Sequence, residues 1–174
     1  MKLTDLARLP LTYAPQGLTL DGPLPAGFHH LEVERRLGTG DAAYARAAEA
    51  LLRWAPQRGI GLRPTATAPR AATGVDILSH LLVLPVPCRV VWAVEGDDRT
   101  GFGYGTLTGH PESGEEGFLV ERRGGDVVAV IRAYARPANV LTRLGGPLTW
   151  VGQRAAARGY LRALQRAADG RRAP

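Results

Sequence analysis

The chain is short of sulfur and of lysine: its 174 residues include one cysteine, Cys88, one methionine, and one lysine, Lys2, against 21 arginines. A lone cysteine excludes an internal disulfide and any thiolate-cluster metal site, and it fits reducing surroundings. No apolar run approaches the roughly 18 residues that cross a bilayer. The opening Met1-Lys2-Leu3-Thr4-Asp5-Leu6 lacks the apolar core and small-residue cleavage site of a signal peptide. A cytoplasmic protein without membrane insertion is therefore expected. What is present, 45% hydrophobic residues in a chain of this length, suits one domain that buries roughly 70% of the surface of its unfolded chain.

Acid is scarce at one end. From Arg136 onward eight arginines face a single acid, Asp169, for a net +7, whereas the preceding residues sum to −1. Arg154, Arg158, Arg162 and Arg166 recur every fourth residue and form a ridge on one helix face. Such a ridge is ordinarily solvated; the alternative is a face for an anionic partner. Arginine in place of lysine, with abundant alanine, reflects GC-rich coding better than selection for phosphate, so nucleic acid is not the expected partner despite a net charge of +6 and a pI near 10.2.

Along the chain, residues 1–27 hold four prolines and little periodicity, and read as an extended arm lying over the domain. Leu31, Val33, Arg35 and Leu37 alternate with polar neighbours, as in a half-buried strand. Asp41 is placed to cap a helix in which Tyr44, Ala47, Ala48, Leu51, Leu52 and Ala55 form one apolar stripe, ended by Pro56 and Gly59. The period then returns to two. Strands are expected at 60–68, 75–84, 87–95, 100–108, 116–122 and 126–135, and their short polar connectors imply antiparallel neighbours. Pro137 closes the last. A long helix runs to about Ala168, with a break at Gly145-Gly146-Pro147 and with Leu148, Val151, Ala155, Leu161, Leu164 and Ala168 inward. The α+β architecture that buries every stripe is a curved antiparallel sheet of about seven strands wrapped around a long C-terminal helix, with one further helix after the first strand. It would occupy 28–170, with 171–174 as a basic tail.

Leu37-Gly-Thr-Gly-Asp-Ala-Ala mimics a dinucleotide fingerprint. Asp41 would set a carboxylate where a pyrophosphate belongs, and the chain that follows is antiparallel, so the segment reads as a tight turn into a helix. No cofactor is called for.

Ionisable groups concentrate in Tyr104–Glu121, YGTLTGHPESGEEGFLVE. His110, Glu112, Glu115 and Glu116 fall within seven residues on a hairpin connection, close enough for acid/base work, although no spacing is diagnostic of a metal and the ordinary reading is a polar surface turn. Gly101, Gly103 and Gly105 alternate with Phe102 and Tyr104, so one strand face lacks side chains; strong bending, close packing or a cavity wall are the usual causes. Cys88, Val90, Trp92 and Val94 share a face of the preceding strand. Cys88 reads as a small buried hydrophobe, Trp92 as core or ligand platform, and Arg89 and Arg132 as strand guanidiniums able to hold a carboxylate inside a cavity.

This stretch, with HHLEVERRLGTG at 29–40, RAAEALLRW at 46–54, PCRVVWAV at 87–94 and RLGGPLT at 143–149, resembles uncharacterised protein family 0548, a domain of unknown function in bacteria and plants. The resemblance extends from about Leu11 to Ala168. The order of elements is similar to the helix-grip arrangement of START and birch-pollen-allergen proteins. That arrangement implies a cavity of roughly 300–1,000 Å³ between sheet and helix that holds a small apolar or amphipathic molecule. Ligand contacts are then expected from Trp92, Phe102, Tyr104, His110, Glu112, Arg89 and Arg132. The alternatives are a cyclase- or hydrolase-type enzyme working through His110, Glu112 or Glu115, and an interaction protein using the arginine ridge.

Overall fold

The structure is a computed structural model that describes residues 1–81, 83–138 and 146–171, with backbone only for 146–150. A 3-10 helix, Leu3–Arg8, comes first. Strand β1 (His29–Thr39) leads into α1 (Gly40–Leu52) and α2 (Ala55–Gly59). Then follow β2 (Thr65–Ala66), β3 (Asp76–Leu81), β4 (Leu84–Glu95), β5 (Arg99–Thr106), β6 (Glu112–Arg123), β7 (Asp126–Pro137) and α3 (Gly146–Ala168). The seven strands form one sheet in the order β1-β7-β6-β5-β4-β3-β2, antiparallel throughout.

This is the expected arrangement, with local departures that have physical causes. The first helix does not run on to Gly59. It stops at Leu52, Trp54 takes a left-handed backbone with φ 65°, and Pro56 opens α2 in its first turn. Proline suits that place, where its missing N–H costs no helical bond. Asp41 does not cap α1; Thr39 holds the cap position, and Asp41 in the first turn pairs with Arg122 at 2.7 Å. Pro85 and Pro87, expected in a turn, lie inside β4. There the carbonyl of Pro87 accepts from Leu107, beyond the end of β5, so the absent N–H interrupts no ladder with that strand.

Helices α1 and α3 cover one face of the sheet. Leu31, Val90, Phe102, Phe118, Val127 and Ile131 from the strands meet Ala47, Leu51, Ala157, Tyr160, Leu161 and Leu164 from the helices in one buried cluster. Phe118 stands at its centre, with ring centroids 5.4 Å from Phe102 and 5.2 Å from Tyr160. Leu161, Leu164 and Ala168 are buried as expected, but Val151 and Ala155 face solvent. At about 100° per residue the stripe through 157, 160, 161, 164 and 168 leaves 151 and 155 on the far side. The break expected at 145–147 falls at the start of α3; Gly145, the Leu148 side chain and residues 172–174 lie outside the described residues. No helix among the described residues is long and apolar enough to cross a membrane.

The α2–α3 crossing depends on two glycines. A Cβ on Gly59 would stand 2.4 Å from Ala163 Cβ, and one on Gly159 would stand 2.3 Å from Ile60 Cγ2. Gly59→Ala therefore pushes the two helices apart, and denaturant unfolding should show a loss of about 1–3 kcal/mol.

Candidate functional site

Alternation along β6 divides its acids between the two faces of the sheet. Glu112, Gly114, Glu116, Phe118 and Val120 look toward the helices, while Ser113, Glu115, Gly117 and Leu119 look outward. The polar surface turn expected at 111–114 is instead shorter and earlier, closed by His110 N–H to Leu107 carbonyl at 3.0 Å, and the strand has begun by Glu112.

On the outer face the N-terminal residues cross the sheet and Glu115 receives them. Its carboxylate, 2% exposed, accepts from Tyr13 Oη at 2.7 Å, Gly17 N at 2.7 Å, Thr19 N at 3.0 Å and the Thr19 hydroxyl. Trp92 Nε1 donates to Thr19 Oγ1 at 3.0 Å and reaches Glu115 at 3.3 Å. Burial, then the Glu115 charge, pushes the Tyr13 and Tyr134 hydroxyls up from their ordinary values. The arginines belong to this face too. Arg89 grips Asp76 at 2.6 Å and the Leu6 carbonyl at 2.8 Å, and Arg132 donates to the Gly22 carbonyl at 3.0 Å.

Trp92 is on the outer face because β4 carries an irregularity between Val90 and Trp92 that shifts the register. Cys88 and Val90 stay with the helix-side core, whereas Trp92 packs with Leu119, Val128 and Val130. The bare face of β5 explains itself here: a Cβ on Gly103 would stand 2.2 Å from Trp92 Nε1, and one on Gly105 2.2 Å from the Tyr13 hydroxyl. The glycines let two aromatic side chains lie directly on the strand. Close packing, not a cavity wall, accounts for them.

On the helix side a cavity of about 600 Å³ opens between the sheet, α2 and the N-terminal half of α3. Its walls are largely apolar, among them Leu31, Ile60, Ile77, Val86 and Ala156. The polar groups are few. Glu116 accepts from the Tyr104 hydroxyl at 2.7 Å, and Glu112 Oε1 accepts from Gln153 Nε2 at 2.7 Å. Burial pushes Glu116 up to about 7, with the Tyr104 bond pulling it back and Glu112 adding to the rise. Burial likewise raises Glu112, against the Gln153 bond, and raises the Tyr104 and Tyr160 hydroxyls. His110 at the rim is lowered to about 4, mainly by burial. It is therefore neutral at pH 7, and its Nδ1, 2.9 Å from the Glu112 amide, accepts that proton. Cys88 also lines the cavity, and burial holds its thiol above the ordinary range, so it is inert.

Among the expected ligand contacts, Tyr104, His110 and Glu112 line the cavity; Trp92, Arg89 and Arg132 do not, and Phe102 is sealed in the core at 0% exposure. Glu115 is a structural anchor of the outer face, and its backbone neighbour Glu116 takes the cavity position. Sequence reasoning placed Glu116 in the cluster without choosing it, and passed over Gln57, Gln153 and Tyr160. Had β6 been started at Glu112, its alternation would have separated Glu116 from Glu115. Gln57 left no such signal: it is 1% exposed, lines the cavity, and has neither amide atom partnered. Such a group costs about 1–3 kcal/mol in the free protein. Among the described residues no three His, Cys, Asp or Glu are grouped to hold a metal ion.

Comparison with solved structures defines the class. A hypothetical protein from Helicobacter pylori superposes with a TM-score of 0.62 at 11% identity, covering 87% of this chain and 92% of that one. Ginseng major latex-like protein 151 from Panax ginseng gives 0.54 at 11%, over 79% and 95%. Truncated norcoclaurine synthase from Thalictrum flavum gives 0.52 at 12%, over 80% and 91%. The protein has the helix-grip fold of the START and birch-pollen-allergen proteins. Within that class, residues 12–163 match the family model described as Domain of unknown function (DUF1990). A UPF0548 protein of Deinococcus radiodurans is 37% identical over 90% of this chain and 87% of its own length, and one of Arabidopsis thaliana is 31% identical over 70% and 64%. The chain belongs to this uncharacterised family.

Glu116 supplies a test of the cavity's electrostatics. A carboxyl raised to about 7 from 4.5 keeps its proton longer in the folded state. Its contribution to stability is full below pH 4.5 and is lost as pH rises through 7. Glu116→Gln removes that loss. Urea melts should show the variant's advantage over wild type growing between pH 4.5 and pH 8, toward about 3 kcal/mol; an unchanged difference would place Glu116 in contact with bulk water.

Proposed function

We propose that the protein binds a small amphipathic organic molecule in the cavity between the sheet and the N-terminal half of α3. The observation that carries this reading is the cavity itself, about 600 Å³ with mainly apolar walls and a few fixed polar groups. That is the size and chemistry of a ligand site. An unfilled apolar void of this volume is costly to maintain, and the described residues that face it from the N-terminal half of α3, Gly152, Gln153 and Ala156, are too small or too polar to fill it.

A second reading, an acid/base enzyme on the same site, is favoured by one observation. Glu116, raised to about 7, exchanges a proton readily at neutral pH, and Tyr104 fixes its orientation. Of the residues first considered for this role, His110, lowered to about 4, is a weak base, the Glu115 carboxylate is taken up on the outer face, and Glu112 stays in the cavity beside Glu116. Norcoclaurine synthase shows that an enzyme exists on this fold, which by itself is analogy.

Native against denaturing mass spectrometry of the protein purified without added ligand tests the binding reading. A discrete organic mass that is lost on unfolding is expected for wild type and should fall sharply in Ala156→Trp, whose indole takes up part of the cavity. The same mass retained in full by that variant would put the ligand elsewhere.

A further inference from the structure

Among the described residues the cavity holds acids without a cation. The Glu112 and Glu116 side chains enter it from β6, and no lysine or arginine among the described residues lines it. Among the described residues the titratable groups that line it with Glu116 are Cys88 on β4, Tyr104 on β5, Glu112 on its own strand, Tyr160 on α3 and His110 at the rim, together with Glu115 and Tyr134, whose side chains are bonded to each other. None of them brings positive charge at neutral pH, since His110 is neutral there. Among the described residues each carboxylate has one side-chain donor, Tyr104 or Gln153, which leaves most of its accepting capacity unused. An anionic guest would meet like charge in a low-dielectric space, and a cationic guest would supply the missing counter-charge.

Gln57 is an independent sign that the guest is polar at a second point. It comes from α2, a different wall from β6, and its carboxamide is shut away from solvent with Nε2 and Oε1 both unpaired. Folded interiors rarely leave both halves of an amide unsatisfied unless a partner arrives later. The carboxamide offers a donor and an acceptor together, which suits a hydroxyl or an amide.

We infer that the ligand is an amphipathic organic amine, with its ammonium group on Glu116, its apolar body along the cavity walls, and a hydroxyl or amide group on Gln57. This rests on the cavity reading proposed above. Tyr104 and Tyr160 add aromatic surface beside the ammonium, a further attraction for a cation.

The experiment uses three probes of one shape, 4-phenylbutylamine, 4-phenylbutanol and 4-phenylbutanoate, titrated into the full chain by calorimetry at pH 8. The amine should bind at least tenfold more tightly than the alcohol, and the carboxylate least. Glu116→Gln should erase the preference for amine while leaving the alcohol's affinity within about threefold. The alcohol or the carboxylate binding as well as the amine would overturn the amine assignment and leave the cavity reading intact. If none of the three binds at millimolar concentration, both fail. A para-hydroxyl on the amine should gain at least fivefold in wild type and nothing in Gln57→Leu. The free Gln57→Leu protein should at the same time melt higher, because it no longer buries an unpaired amide. An equal gain in both proteins would remove Gln57 from the site.

Discussion

A carboxylate buried under a strap of chain must be met by donors, and Glu115 is the point from which much of the outer face follows. Its four close hydrogen bonds come from Tyr13, Gly17 and Thr19, so the residues before β1 are ordered by one charge in the middle of β6. The strap in turn needs room. Gly105 and Gly103 give it, by letting the Tyr13 side chain and the Trp92 indole lie against β5 where a side chain would collide. The indole N–H then completes the polar cluster at Thr19. Arg89, Arg99 and Arg132 repeat the arrangement at the edges, each donating to backbone carbonyls of the first 22 residues. Glycine, arginine and acid are thus parts of one device that covers the side of the sheet away from the helices.

The adjacent residue shows what the same charge does without that support. Glu116 has one hydroxyl donor and an apolar surround, and burial dominates its titration. Two neighbouring glutamates on one strand therefore differ in role for a reason that is geometric: the pleat sends one to a crowded polar cluster and the other to an underfilled space.

The sheet and the helix order were legible because they rest on period-two and period-3.6 patterns, which sequence displays directly. Three things were not. The irregularity after Val90 turns Trp92 to the opposite face, and no pattern of apolar residues announces a register shift when both faces are covered. The left-handed Trp54 that divides α1 from α2 is a non-glycine residue in a region where glycine is the usual signal. The polarity of the 111–116 segment suggested a turn, since burial of Glu115 becomes affordable only through partners about a hundred residues away in sequence. The candidate acids were found; which of them faced the cavity depended on that strand boundary.

The cavity persists for a reason visible along α3. Its C-terminal half is clamped by Ala157, Tyr160, Leu161, Leu164 and Ala168, and by the glycine-permitted crossing with α2. The preceding turn offers Gly152, Gln153 and Ala156 to the same side; Gly152 and Ala156 are too small to fill the space, and Gln153 crosses it to bond Glu112 on β6. The helix is thus packed closely along its C-terminal half and stands over the cavity before it, and that space is lined also by Leu81 and Leu84 at the β3–β4 hairpin, both well exposed. Filling it with larger side chains would shelter that apolar surface and add contacts. A sequence that instead places small and polar residues there, with two carboxyls facing in from the opposite wall, has the composition expected of a site in which the missing atoms are supplied by a guest.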